Sequence, residues 1–157
     1  ETTYLQCVAS LGSLIADEEA PVTHGGFIFN APVSHQLTRG SFIFSILWDI
    51  ACSIYENYKF LCEVSSHQES YIWACGGGVE SKALRQYLAN LTGKSIHLRD
   101  TFRQASVLGG AFICNDALGI ENETPAILDE TFPEQQEKFE KMYQDWKKTR
   151  KIFKQVV

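Results

Sequence analysis

The sequence predicts an α/β fold in which short strands alternate with helices, and three observations predict it. "YIWAC", at residues 71–75, is a short apolar run of aromatic and β-branched residues with punctuation on both sides, as in a buried strand. Three glycines follow it, and then a segment in which Ala83, Leu84, Tyr87, Leu88 and Leu91 mark one helical face. "KSIHLRD" next alternates Ile96 and Leu98 with polar neighbours, as a second strand does, and leads into a small-residue helix. Strands and helices in this order imply an α/β layer with right-handed crossovers.

The elements justify themselves in order. Residues 1–37 are loop-rich, with two prolines and a Gly-Gly pair in "EEAPVTHGGFIFNAPVSH". Within them Tyr4 to Leu11 suits a short strand, and "GGFIFN" is a brief β-prone run. From about His35 to Val64 the period turns helical. Phe42, Ile46, Ile50, Ile54 and Leu61 recur at spacings of four and seven, with Ser34 as the N-cap. Its middle is apolar nearly all round, which predicts a deeply buried helix. "SSHQES" is a polar turn before the first long strand. The glycines then lead into a helix that starts near Ser81 and closes on Gly93. The small-residue helix, "RQASVLGGAFICNDALGI", ends near Gly119. "ENETPAILDETFPEQ" reads as a linker, and the tail after it as an amphipathic helix carrying Phe139, Met142, Tyr143 and Trp146.

At 157 residues one domain is expected, with enough chain to bury a core. No apolar run is long enough to span a bilayer, and "ETTYLQ" lacks the order of a signal peptide. A net charge of −5 argues against broad affinity for nucleic acid or membrane. The charge is uneven. Between Tyr71 and Ile120, Lys82, Arg85, Lys94, Arg99 and Arg103 outnumber Glu80, Asp100 and Asp116, so the mildly basic segment is the one with the glycines. The five cysteines have no metal-ligand spacing and fit a reducing, cytoplasmic compartment. The four histidines are scattered and suit surface or turn roles, and the acceptor patterns at Asn90 and Asn122 are expected to be chance. No metal-binding or catalytic residue is assigned.

Gly76, Gly77 and Gly78 stand where ligands bind α/β sheets, at the carboxyl end of a strand and the start of a helix. Two readings are open. Either the glycines serve only a sharp strand-to-helix turn, or their missing side chains let a flat or anionic ligand lie on bare backbone at the positive end of the helix. The six-residue GxGxxG spacing is absent, and so is a GxxxxGK[ST] loop. Asp100 nevertheless stands at about the distance a Rossmann reading requires of its acidic residue, so an unrelated Rossmann-like enzyme is the runner-up.

Taken together, "GGGVESKALRQYLANLTGKSIHLRDTFRQASVLGGAFICNDALGI" resembles the C-terminal domain of the FGGY carbohydrate kinases. The matching residues are Gly76-Gly77-Gly78, Ser81, Arg85-Gln86, "LANLTG" and "QASVLGGA". "DEEAPVTHGGFIFNAPVSHQLTRG" and the closing aromatic helix extend the resemblance over roughly residues 15–155. It implies a portion of an actin-like, ribonuclease H-like domain, a mixed sheet with flanking helices. Residues 1–157 would be part of the nucleotide-binding domain, with 121–157 as its linker and C-terminal helix.

The activity implied is phosphoryl transfer from ATP, with Mg²⁺, to a hydroxyl of a small carbohydrate. Gly77 and Ser81 would contact the adenosine, with Gly76 and Gly78 shaping the turn. Gly109 and Gly110 would let the next helix pack closely under the site. Two departures mark a divergent member: Glu19 stands where the family has Arg, and Gln104 where it has Glu. The family's catalytic base, phosphate loops and sugar pocket lie before the region matched, so the chain alone is expected to be inactive. A stand-alone nucleotide-binding or interaction module is the other alternative. The sheet built from 71–75 and 94–100 would be incomplete, and its open edge predicts a homo-oligomer or another segment packed against it.

Overall fold

The computed structural model describes residues 6–12, 15, 24–66 and 68–155. β1 (Cys7–Ser10) and β2 (Gly26–Phe29) form an antiparallel pair, with Cys7 opposite Phe29 and Ser10 opposite Gly26. The rest follow as α1 (Arg39–Ser65), β3 (Tyr71–Trp73), α2 (Lys82–Thr92), β4 (Ser95–Arg99), α3 (Ala105–Leu118), β5 (Ile127–Thr131) and α4 (Gln136–Gln155). β3 and β4 are parallel and joined through α2, while β5 lies antiparallel on the other side of β4. The sheet is therefore mixed, with order β3-β4-β5. Tyr4 and the segment holding Glu19 lie outside the described residues.

One core joins α1, α2, α4 and the inner face of β4 through Trp48, Tyr87, Leu88, Ile96, Phe139 and Trp146. Trp48 meets Tyr87 and Phe139 edge-on, with ring centroids 5.8 and 5.4 Å apart. Such pairs contribute about 0.5–1.5 kcal/mol beyond their buried area. α2 lies as its period requires, with Leu84, Tyr87, Leu88 and Leu91 buried. The Ser81 hydroxyl accepts from the Leu84 amide at its start, and Gly93 ends it in the left-handed region at φ 68°. β4 alternates as expected, Ile96 and Leu98 inward.

Four expectations are corrected. First, the N-cap of α1 is Thr38, not Ser34. Thr38 and Ser41 cap each other reciprocally, while the Ser34 hydroxyl accepts the Gln36 amide in the preceding turn. Second, α1 buries its small and polar side. Ser41, Ser45, Trp48, Asp49 and Cys52 face inward, whereas Ile43, Ile50, Ile54 and Leu61 are exposed. Small side chains let β1 approach: Cys7 Sγ lies 2.9 Å from Ser45 Oγ. The fully buried Asp49 accepts from the Leu11 amide at 3.0 Å and the Trp146 indole at 2.7 Å. Directed bonds at close range, which apolar periodicity does not register, choose the face.

Third, the segment read as a linker holds β5, whose register runs from Ile96 opposite Thr131 to Arg99 opposite Ile127. Its pattern hid it, because Ile127 and Leu128 are exposed edge residues that do not alternate. Fourth, α3 packs loosely. A Cβ added at Gly109 or Gly110 would meet nothing within 4 Å, so close backbone approach among the described residues does not explain these glycines.

Candidate functional site

The glycine turn is the junction the sequence predicts. β3 ends at Trp73, shorter than the five residues read as strand, but the backbone stays tied to β4. Ala74 donates to the His97 carbonyl at 2.9 Å and Gly76 to the Phe102 carbonyl at 2.8 Å. Residues Gly77–Glu80 then form one 3₁₀ turn, with bonds from Val79 to Gly76 and from Ser81 to Gly78, both 3.3 Å. Val79 anchors the turn from below in a small cluster with Leu98 and Phe102. Gly77 and Gly78 lie exposed on top.

The three glycines differ in what they require. Gly76 has φ 92° and ψ 163°, a conformation that residues with a Cβ rarely adopt, so the turn itself calls for glycine there. Gly77 is outside the positive-φ region, and a Cβ built on it would meet nothing within 4 Å. Gly78 is also outside that region, and its Cβ would only touch Leu84 at 3.9 Å. Neither backbone strain nor crowding by the described residues demands the bare backbone at Gly77.

Two groups hold the turn's shoulders. The Arg103 guanidinium donates to the Glu80 carboxylate at 2.6 Å on the surface. The buried Arg85 guanidinium donates to the Val79 carbonyl at 2.5 Å and, at 3.3 Å, to that of Glu80. Its other arm reaches β5, donating to Asp129 Oδ2 at 2.7 Å and Thr131 Oγ1 at 3.3 Å. Gln86 donates to the Phe132 carbonyl at 2.8 Å, just past β5. The Arg-Gln pair thus binds a strand that the sequence pattern concealed.

Beside the turn, a cleft of about 490 Å³ opens between the carboxyl ends of β3 and β4 and α3. Trp73, Cys75, Arg99, Phe102 and Phe112 line it, and the Arg99 guanidinium stacks 3.9 Å from the Trp73 ring centroid. Periodicity missed this wall, because Trp73 counts there as strand core, yet it is 41% exposed. Gly76, Gly77, Gly78 and Ser81 do stand together. Asp100, at the spacing a Rossmann reading requires of its acidic residue, lies on the surface after β4 with its amide bonded to the Ala126 carbonyl.

Solved structures share this architecture. A ligand-bound xylulose kinase from Lactobacillus acidophilus superposes with a TM-score of 0.70 at 17% identity, over 86% of this chain and 28% of that one. A gluconate kinase from the same organism gives 0.69 at 17% identity, over the same shares of the two chains. The xylulose kinase of Rhodospirillum rubrum gives 0.68 at 16% identity, over 99% of this chain and 33% of that one. These likenesses show the fold, a portion of an actin-like domain.

Sequence carries the relation further. The protein named "Putative sugar kinase YoaC" of Bacillus subtilis (strain 168) is 40% identical over 147 residues, 94% of this chain. The chain spans 30% of the length of that relative. Residues 4–118 match the model of the C-terminal domain of the FGGY family of carbohydrate kinases, and that stretch runs from β1 through the glycine turn to the end of α3. A mixed sheet ending in a glycine turn, in a chain so matched, replaces the Rossmann alternative: the protein belongs to the FGGY family of carbohydrate kinases.

Proposed function

We propose that residues 76–81 form the adenosine-facing wall of an ATP site, in a protein that transfers a phosphoryl group from ATP to a hydroxyl of a small carbohydrate. Residues 1–157 then belong to the nucleotide-binding domain, and 121–157 contribute β5 and α4 to it. The observation that carries this reading is Gly77. Among the described residues nothing requires glycine there, whereas a ligand lying on the exposed backbone does. Gly76 sets the turn, Gly78 keeps the surface low, and Ser81 has a hydroxyl hydrogen free to donate while its oxygen caps α2.

The relatives' names, xylulose kinase and gluconate kinase, support a sugar or sugar-acid acceptor. The work of these residues would be positioning, which is most of what a protein does in phosphoryl transfer. Among the described residues no group of three or more His, Cys, Asp or Glu could hold a metal ion. No helix among them is long and apolar enough to cross a membrane. The reading carries with it a cytoplasmic setting, and ATP, a small carbohydrate and further copies of the chain as partners.

Gly77→Val in the full-length protein tests the reading. ATP titrated by calorimetry should show affinity weakened by at least ~10-fold, about 1.4 kcal/mol, with the melting temperature nearly unchanged. Wild-type ATP affinity in the folded variant overturns the assignment. ADP release from ATP with xylulose, gluconate and related polyols then identifies the acceptor.

A further inference from the structure

Arg85 is a charged side chain with 5% of its surface exposed, buried on α2 together with Leu84, Tyr87, Leu88, Ala89, Asn90 and Leu91. Packing alone does not call for a guanidinium there, and burying one is costly unless its donors are satisfied. Four acceptors surround it, two on the glycine turn and two on β5. The turn's remaining anchors lie at its start, through Gly76, and underneath, through Val79. Arg103 reaches the Glu80 side chain from solvent, where an ion pair constrains little. Within this set, only Arg85 grips the carbonyls at the end of the turn.

Glycines left in solvent sample many conformations, and a ligand that must order them binds more weakly for it. We infer that Arg85 is a positioning residue for the nucleotide site: without touching the ligand, it holds the glycine turn in shape by tying the Val79 and Glu80 carbonyls to Asp129 and Thr131 of β5. This rests on reading the turn as the nucleotide wall. The planar, five-donor guanidinium is the side chain that can span four acceptors in two segments at once. A lysine reaches them one at a time.

The test uses Arg85→Met, Arg85→Lys and Gly77→Val in the full-length protein. ATP affinity is measured by calorimetry well below the melting temperature, and backbone exchange by mass spectrometry. Arg85→Met should weaken ATP binding ~10-fold, and Arg85→Lys less. Exchange should quicken at the Val79 and Ser81 amides while Leu88 to Leu91 stay protected. Unchanged ATP affinity in folded Arg85→Met, or exchange that rises evenly through α2, overturns the inference. If Arg85 variants fail to fold, Asp129→Asn removes the half-exposed end of the clamp and should move affinity and turn exchange in the same direction. Unchanged affinity there overturns it too. Gly77→Val separates the two failures: wild-type ATP binding in that variant sinks the site and the clamp together, whereas lost binding there with intact binding in Arg85→Met sinks the clamp alone.

Discussion

Adjacent glycines in this turn have different jobs, and substitution should separate them. Gly76→Ala forces a Cβ into φ 92° and should destabilise the fold by about 1–2 kcal/mol, read from denaturant unfolding. Gly77→Ala meets open space and ordinary φ, so its midpoint should stay within about 0.5 kcal/mol of wild type. Ser81→Ala removes the α2 cap and should lower stability by about 1 kcal/mol, with Ser81→Asp restoring it. Cysteines divide in the same residue-by-residue way. Burial, then the nearby Asp49 and Glu56 carboxylates, push the Cys52 thiol well above its ordinary value. In the unfolded chain that thiol ionises near its ordinary pKa of 9.0, while in the fold it stays protonated. Its contribution to stability is therefore complete below pH 9.0 and falls as pH rises above it. Iodoacetamide at pH 8 should label the exposed Cys75 and Cys114 and spare Cys52, as peptide mass spectrometry can show.

Among the elements, α1 shows where periodicity misleads. Its Ile and Leu stripe reads as a core face, yet the buried side holds Ser45, Asp49 and Cys52 because β1 and α4 bond to it. Asp49 is the tie. Asp49→Ala would leave the Leu11 amide and the Trp146 indole without this acceptor in the interior. Urea unfolding should show a loss of roughly 3 kcal/mol, and Asp49→Asn a smaller one. A loss below about 1 kcal/mol for the alanine variant would refute this account of α1's orientation. α2 was readable throughout, since its face, its cap at Ser81 and its stop at Gly93 are all local. β5 was not, because an edge strand with Ile127 and Leu128 in solvent lacks the alternation that burial imposes.

At the scale of the molecule, apolar surface remains uncovered on α1 and α3. Ile43, Ile54, Leu61 and Val64 on α1, and Val107, Ile113 and Leu118 on α3, are each at least 40% exposed. β3 and β5 are the sheet's edges, and Trp73 is exposed on one of them. A surface of this kind favours association. The 157-residue chain by itself should therefore show a mass that rises with concentration in light scattering. A monodisperse monomer from low to high micromolar concentration would count against this.

The sequence by itself determined the α/β order, the strand-to-helix junction at Gly76, the capped α2 and the family resemblance. Each of these is written in contiguous residues, as local propensity or as an ordered string of short motifs. Tertiary structure alone decided which side of α1 is buried, that residues 127–131 are a strand, and which segments Arg85 and Gln86 bond to. Those outcomes depend on partners 34 to 97 residues away in the chain, such as Cys7 with Ser41, Arg85 with Asp129 and Asp49 with Trp146. It also separated Gly76, whose φ the turn needs, from Gly77, whose bare backbone nothing among the described residues needs. In the sequence the three glycines are one symbol repeated. Backbone angle and the space above each Cα exist only once the chain has folded around them.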